Sequence, residues 1–339
     1  MENFKKLLAL IFFVLICASL TGAQPQDDSW TQSCDPRLQK ALEKRINGLK
    51  LNGATEHKNL SIVVVDITNV SEPRMAYVNP NKMMYAASLP KIAILLGAFE
   101  KIAAGEMTLD DETLEKLKQM IRRSSNSAAS EMLDRVGIDY LADLLQSPRY
   151  RLYDPENGGG IWVGKEYGKA PAHRRDPLHN LSHGATALQV ARFYYLLETG
   201  QLVSPQLSEL MKAILAETEI EHKFVKGLRS VQPDSEIYRK SGTWGPYHSD
   251  SAIIEHDGRR YIAVALAKSR KHPRQKELLV ILGKIGAPRA LDTVILAAGG
   301  LLTDADGIQI VRGMTQIIVA FDEEMMAKVG QSPFALVVE

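Results

Sequence analysis

Cysteine is scarce in this chain of 339 residues, which contains only two, Cys17 and Cys34, and no Cys-x-x-Cys pair. So few thiols argue against a disulfide scaffold, a cysteine-based zinc site and an iron–sulfur cluster. Net charge is scarce too, because 41 lysines and arginines are balanced by 40 aspartates and glutamates. A neutral chain lacks the positive field that nonspecific nucleic-acid binding needs, so no nucleic-acid partner is expected.

The chain also lacks an uncharged hydrophobic run of the ~20 residues that a membrane-spanning helix needs. At the N-terminus, Lys5 and Lys6 precede a shorter apolar run, 7–20, which is followed by small residues at 21–23. Basic residues, a short apolar run and a small-residue cleavage site together are typical of a secretory signal. The sequence therefore predicts a signal peptide at 1–23, export to the periplasm or the medium, and no stable membrane span after cleavage.

Hydrophobic patterning predicts strands near both ends of the chain and helices between them. The β-branched run at 60–69, with 75–79 as its hairpin partner, and the alternating segments 238–244 and 250–269 are typical of strands. Helical patterns occupy 35–50, 91–106, 109–123, 125–137, 138–146, 185–201, 204–217 and 274–285. This order predicts an α+β fold, with an antiparallel sheet made from both termini and a helical lobe.

Two segments do not follow these patterns. Residues 149–184 are rich in Gly, Pro, His and Arg, which predicts a long, ordered loop with little regular structure. Residues 287–339 form an apolar C-terminal extension, whose role is left open between added elements of the fold and an oligomer contact. The expected organisation is a signal peptide at 1–23, one domain at 24–286 and the extension at 287–339.

Ser88 and Lys91 open the most apolar helical segment, about one turn apart on one face. A serine hydroxyl is a weak nucleophile, and a buried lysine can activate it because desolvation disfavours the charged amine. A helix N-terminus also places a positive dipole beside the serine. A serine cap beside a surface lysine would give the same pattern, but Lys91 leads directly into a buried helix. The pair indicates a nucleophile and its base.

Two further motifs follow in order, Ser-Ser-Asn at 124–126 before a helix and Lys-Ser-Gly at 240–242 in a strand. The series S-x-x-K, S-x-N and K-[ST]-G resembles the penicillin-recognising serine hydrolases, the class A β-lactamases and penicillin-binding proteins. The resemblance covers roughly residues 55–285. It implies a five-stranded antiparallel sheet flanked by helices plus a helical lobe. No cofactor is expected, and the histidines form no helical H-x-x-x-H pair that would indicate a metal site.

The resemblance also implies a role for each motif residue. Ser88 is the acylated nucleophile, and Lys91 takes its proton or holds the water that does. Ser124 relays a proton to the leaving nitrogen, and Asn126 binds the amide side chain of the substrate.

In the third motif, Lys240 sets the local potential for the substrate carboxylate and Ser241 binds that carboxylate. Gly242 in a strand interior is typical of a close backbone approach to a ligand. The backbone N–H groups of Ser88 and Thr243 form the oxyanion hole, which stabilises the negative oxygen of the tetrahedral intermediate.

The sequence departs from class A enzymes in the loop that carries their deacylation base. Their E-x-x-x-N pattern is missing from 149–184, where Asp154, Glu156 and Glu166 are the candidate bases. Asp154 and Glu156 also lie among ordinary turn signals, which account for them without catalysis. Glu156 ranks ahead of Asp154 because its longer side chain reaches further.

The expected function is hydrolysis of β-lactam amide bonds by an exported serine hydrolase, through an acyl-enzyme on Ser88. One alternative is a penicillin-binding DD-peptidase that acts on peptidoglycan stem peptides. The other is a non-enzymatic β-lactam or peptide-binding module, in which acylation is terminal or absent. The expected partner is in each case a small β-lactam or peptide, and the oligomeric state is not predicted.

Overall fold

The computed structural model describes residues 31, 34–48, 51–169, 171–229 and 232–268. The predicted signal peptide at 1–23, the predicted helix at 274–285 and the extension at 287–339 lie outside the described residues. Within those ranges, no helix is both long enough and apolar enough to cross a membrane.

Most of the helices and all of the strands of two or three residues lie between two groups of longer strands in the described part of the chain. The strands are β1 (Leu60–Asp66), β2 (Arg74–Val78), β3 (Met84–Tyr85), β4 (Tyr153–Asp154), β5 (Gly159–Gly160), β6 (Trp162–Val163), β7 (His183–Ala185), β8 (Glu236–Trp244), β9 (Tyr247–His256) and β10 (Arg259–Lys268). The helices are α1 (Pro36–Gly48), α2 (Asn52–Glu56), α3 (Lys91–Ala103), α4 (Asp111–Arg122), α5 (Asn126–Val136), α6 (Ile138–Gln146), α7 (Ala187–Glu198), α8 (Pro205–Leu215) and α9 (Phe224–Arg229).

A five-stranded antiparallel sheet in the order β2-β1-β10-β9-β8 confirms the prediction of one sheet built from both ends of the sequence. The apolar side chains of β1 alternate between its two faces. Val63 and Val65 pack into the larger core with α3 to α8, whereas Ile62 and Val64 pack against α1 and α9. The strand is an unbroken apolar run because both of its faces are covered.

Helix α3 crosses the helical lobe and carries the Ser88–Lys91 motif at its N-terminus. Every residue from Lys91 to Phe99 is buried, as expected of a helix that is apolar on all sides. A Cβ added at Gly97 would lie 2.7 Å from Cγ1 of Val136, so α3 and α5 approach too closely there for a larger side chain. The start of α3 is therefore held by packing along the rest of the helix.

The segment 149–184 contains more regular structure than the sequence predicts. Strands β6 and β7 form a small sheet with β3, and β4 pairs with β5. The rings of Tyr153 and Trp162 lie 4.7 Å apart, and Trp162 Nε1 donates to the Arg174 carbonyl at 2.9 Å. The sequence did not indicate these strands, because strands of two or three residues are too short to produce a periodic pattern.

One fully buried ion pair joins the two strands at the edge of the main sheet. Arg239 on β8 donates from Nε to Asp250 Oδ1 at 2.8 Å and from Nη2 to Oδ2 at 2.9 Å. Arg239 is 1% exposed and Asp250 is 0% exposed. Such a pair makes each partner depend on the other, since either charge alone would be buried without compensation.

We expect Asp250→Ala to lower the free energy of unfolding by about 3–5 kcal/mol, because it leaves the Arg239 guanidinium buried without its carboxylate. Urea denaturation measures the change. Asp139→Ala is the matched control, because the side chain of Asp139 is 69% exposed in its ion pair with Arg174. The control should cost under about 1 kcal/mol. Equal losses in the two variants would contradict the assigned importance of the buried pair.

Candidate active site

Ser88 lies in the turn between β3 and α3, where strand β8 passes very close to the backbone. A Cβ added at Gly242 would lie 2.7 Å from Ser88 N and 2.2 Å from the Ala86 carbonyl oxygen. Any side chain at position 242 would push the strand away from the serine. The same turn is held by Ser249, whose Oγ donates to Ala86 O at 2.8 Å. The close approach predicted for Gly242 is present, although its neighbour is the protein's own backbone.

The amine of Lys91 is buried and points toward the second motif. Its Nζ donates to the carbonyl oxygens of Ser124 at 2.7 Å and Ser125 at 3.2 Å, and to Asn126 Oδ1 at 2.9 Å. Ser124 has a φ of 57°, a left-handed conformation that is uncommon for a serine. A strained residue at this point is consistent with a loop shaped to surround the amine.

A second buried lysine amine, that of Lys240 on strand β8, approaches the hydroxyl of Ser124. Lys240 Nζ donates to Ser124 Oγ at 2.8 Å and to the carbonyl of Ser241 at 2.9 Å. The Nζ of Lys91 is 3.4 Å from the same Ser124 Oγ. The hydroxyl of Ser124 therefore lies between two lysine amines, in the position that a proton relay requires.

Burial controls the charge of both amines. It lowers the pKa of Lys91 to about 7, which leaves a large neutral fraction at physiological pH. Burial, followed by the nearby Lys91, holds the pKa of Lys240 well below its usual value. Among the residues that the structure describes, neither amine forms a salt bridge, and their acceptors are hydroxyl, amide and backbone oxygens. The amine of Lys91 is thus suited to accept a proton.

Two aromatic side chains that the sequence did not indicate cover the Lys91 amine. Its Nζ lies 4.6 Å from the ring centroid of Tyr167, and the imidazole of His183 stacks on that ring at 4.2 Å. Ser130 on α5 fixes the tyrosine, since its Oγ accepts from Tyr167 N at 3.0 Å and donates to Tyr167 O at 3.2 Å. Burial lowers the pKa of His183 to about 3, so its imidazole is neutral.

In the part of the chain that the structure describes, no hydrogen bond or ion pair joins the candidate deacylation bases to Lys91, Ser124 or Lys240. Glu156 is exposed in the 3₁₀ turn Pro155–Asn157. Asp154 caps that turn, accepting from Glu156 N at 3.0 Å and Asn157 Nδ2 at 2.8 Å, and it also binds Arg151. Glu166 is exposed beside the buried Tyr167. The turn accounts for the Asp154 carboxylate, and the catalytic role of Glu156 stays a prediction.

The other predicted site residues do converge. Hydrogen bonds join Lys91, Ser124, Asn126 and Lys240, and strand β8 carries the sequence 240–243 past Ser88. Their individual roles in catalysis stay predictions. No group of three or more His, Cys, Asp or Glu side chains arranged to hold a metal ion occurs among the described residues.

The sequence places the chain in a family that this geometry fits. The model of the β-lactamase enzyme family matches residues 40–116 and 112–292, which is more than half of the chain. The chain belongs to the β-lactamase enzyme family. No curated protein matches the sequence significantly.

Solved structures show the same fold at low sequence identity. PBP-A is 18% identical with a TM-score of 0.56, covering 78% of this chain and 97% of its own. A point mutant of PBP-A, solved as an acyl-enzyme complex with penicillin G, is 17% identical with a TM-score of 0.55 over 77% and 96%. A β-lactamase from Sphaerobacter thermophilus is 16% identical with a TM-score of 0.54 over 78% and 98%. These similarities establish the β-lactamase/transpeptidase-like fold.

The charge state of Lys91 predicts the pH dependence of the first chemical step. Only the neutral amine accepts the serine proton, and the pKa of Lys91 is about 7. The acylation rate should therefore fall below pH 7, by about tenfold for each pH unit well into the acid range. Stopped-flow measurements with a chromogenic cephalosporin would follow it. A midpoint at pH 9 or above would show that Lys91 is charged at neutral pH and is not the base.

Proposed function

We propose that this protein is an exported, penicillin-binding serine hydrolase that forms a long-lived acyl-enzyme on Ser88. One observation carries the proposal: the amine of Lys91 is buried, suited to act as a base, and surrounded by neutral oxygen atoms and an aromatic ring. This arrangement favours acylation, and among the described residues no carboxylate forms a hydrogen bond or an ion pair with the amine, so none is placed there to activate water. Of the expected functions, it supports the penicillin-binding peptidase over the rapid β-lactamase.

Acylation follows from the proposed roles of the converging residues. Neutral Lys91 accepts the Ser88 proton while Ser88 Oγ attacks the amide carbonyl carbon. The negative oxygen of the tetrahedral intermediate accepts hydrogen bonds from the backbone N–H groups of Ser88 and Thr243. Ser124 donates a proton to the leaving nitrogen as the C–N bond breaks, and its hydroxyl is replenished from the Lys91 and Lys240 amines, which lie at 3.4 and 2.8 Å.

The third motif suggests the class of natural substrate. Lys240 and Ser241 bring a buried amine and a hydroxyl to the strand edge beside Ser88, which suits a substrate with a free carboxylate. A β-lactam and a peptide that ends in a carboxylate share this feature. We propose a peptidoglycan stem peptide as the natural substrate, and the N-terminal signal at 1–23 supports export to the compartment that contains it.

The similarity to a structure of PBP-A is in line with this proposal. The PBP-A mutant described above holds penicillin G as an acyl-enzyme. The present chain shares the fold of that protein, and Ser88 and Lys91 are the residues proposed here to form such an adduct.

Incubation with a labelled penicillin should modify the wild-type protein at Ser88, and the adduct should outlast the mixing time by minutes or more. Ser88→Ala should take up no label, because the acylated hydroxyl is gone. Intact-mass spectrometry over time gives both the extent and the lifetime of the adduct. Turnover of many equivalents per second without a detectable adduct would support the β-lactamase instead. No label on the wild type would support the binding module.

The loop carboxylates should contribute nothing to the lifetime of the adduct. Asp154→Asn, Glu156→Gln and Glu166→Gln should each show the wild-type rates of acylation and deacylation, because their side chains bind the local turn or face solvent. Stopped flow and mass spectrometry measure the two steps separately. One variant in which the adduct persists much longer than in the wild type would identify that residue as the deacylation base.

A further inference from the structure

A third buried lysine, which belongs to none of the motifs, lies behind the strand that passes Ser88. Lys223 directly precedes α9, has a left-handed φ of 56° and is only 4% exposed. Its Nζ donates to the Gly242 carbonyl at 2.7 Å and to the Ser249 carbonyl at 2.8 Å. Gly242 and Ser249 face each other across β8 and β9. The amine therefore joins the two strands where they approach the nucleophile.

The Gly242 carbonyl is one end of the peptide group whose other end is the Thr243 N–H. A positive donor on a carbonyl oxygen withdraws electrons from the whole amide, and hydrogen bonds that share an amide polarise one another. An ammonium on Gly242 O therefore makes the Thr243 N–H a stronger donor. That N–H is the group proposed to bind the oxyanion together with the N–H of Ser88.

The position of this peptide relative to the nucleophile supports such an effect. Gly242 lies so close to Ser88 N that a Cβ there would come within 2.7 Å of it. Ser249, whose carbonyl is the second acceptor of Lys223, also donates a hydrogen bond from its side-chain Oγ to Ala86 O at 2.8 Å. The amine is thus bound directly to the Gly242 carbonyl, and through Ser249 it is connected to the turn that carries Ser88.

The charged groups near Lys223 are Asp250 and Arg239, which form an ion pair with each other. Asp250 accepts hydrogen bonds from two of the three guanidinium nitrogens of Arg239, Nε and Nη2, and from the Phe224 N–H. Arg239 also donates to Nδ1 of His222, whose pKa burial lowers to about 4, so that it is neutral. Burial and Arg239 lower the pKa of Lys223 to about 7, while Asp250 favours its charged form. About half of the Lys223 amines are therefore charged near pH 7, and burying a lysine whose charged form is so costly argues for a function.

We propose that Lys223 is a positioning residue that strengthens the oxyanion hole, acting through the Gly242–Thr243 peptide from the side of the sheet away from Ser88. This inference rests on the proposed acylation of Ser88. It adds a residue that touches no substrate atom and that the three motifs do not contain.

Three substitutions separate charge from shape. Lys223→Gln keeps a donor for the two carbonyls without the positive charge, whereas Lys223→Arg keeps the charge. Lys226→Gln is the control, because it removes a half-buried lysine from α9, the helix that follows Lys223. We expect Lys223→Gln to lower the acylation rate constant about tenfold, less than the ~10²–10³ lost with an entire oxyanion donor. The initial affinity for the penicillin should not change, Lys223→Arg should recover most of the rate, and Lys226→Gln should match the wild type.

Infrared spectroscopy of the acyl-enzyme provides a readout that a purely structural role would not affect. The acyl-enzyme is formed with a ¹³C-labelled penicillin, so that the acyl carbonyl can be identified in the spectrum. Its stretching band moves to higher wavenumber as the hydrogen bonds to its oxygen weaken. Lys223→Gln should show that shift, and Lys223→Arg should not. Should Lys223→Arg fail to fold, the rate and the spectrum of Lys223→Gln decide alone.

The two proposals fail in different ways. Wild-type acylation rate and an unshifted carbonyl in folded Lys223→Gln would overturn the role of Lys223 while Ser88 acylation stands. Equal loss of rate in Lys223→Gln and Lys223→Arg, with no spectral shift, would reduce Lys223 to a structural residue. Absence of penicillin label on the wild type would instead contradict the proposed function itself.

Discussion

Burial of lysine amines is the constraint on which the site depends. Lys91, Lys240 and Lys223 are each at most 4% exposed, and their hydrogen bonds go to backbone, amide and hydroxyl oxygens. Taking an ammonium out of water costs several kcal/mol unless it is compensated. The protein meets that cost with oriented carbonyl oxygens, and the cost is also what lowers the pKa values of the amines. The rest of the fold can be understood as the means of holding those oxygens in place.

Two elements from distant parts of the sequence provide this support. Helix α3 is buried from Lys91 onward, so the first amine is set by packing in the helical lobe. Strand β8 is an edge strand of the main sheet, and its other neighbour is the turn that contains Ser88. The site therefore forms where lobe and sheet meet, and it requires a glycine at position 242 because a side chain would separate them.

The motif residues could be predicted from the sequence because their chemistry restricts which residue types can occupy them. A lysine at the start of an all-apolar helix is costly to bury, and its lowered pKa would let it act as a base. A serine one turn before it therefore indicates a nucleophile. The order of the three motifs then indicates the family and, through it, the other site residues. The five-stranded sheet was predictable too, since its strands are long enough to show alternation or a buried apolar run. Tyr167 and Lys223 were not, because they lie in or beside irregular segments, where spacing carries no information about contacts. Ser130 lies on a predicted helix, but its contact is with the irregular segment that carries Tyr167. Glu156 ranks ahead of Asp154 by the length of its side chain alone, and its catalytic role stays a prediction for an exposed residue of a 3₁₀ turn.

The electrostatics of the site also account for the expected difference in rate between its two chemical steps. Acylation needs a neutral amine to accept the serine proton and hydrogen-bond donors at the oxyanion, which are the roles proposed for Lys91 and for the backbone N–H groups of Ser88 and Thr243. Hydrolysis of the ester needs a base that deprotonates water, but the group that lies over the Lys91 amine is the ring of Tyr167 rather than a carboxylate. An aromatic ring there helps to keep the amine desolvated but cannot accept a proton from water. The packing that lowers the pKa of Lys91 for acylation therefore places no carboxylate of the described residues against the amine to activate water for deacylation. An acyl-enzyme formed at Ser88 should persist.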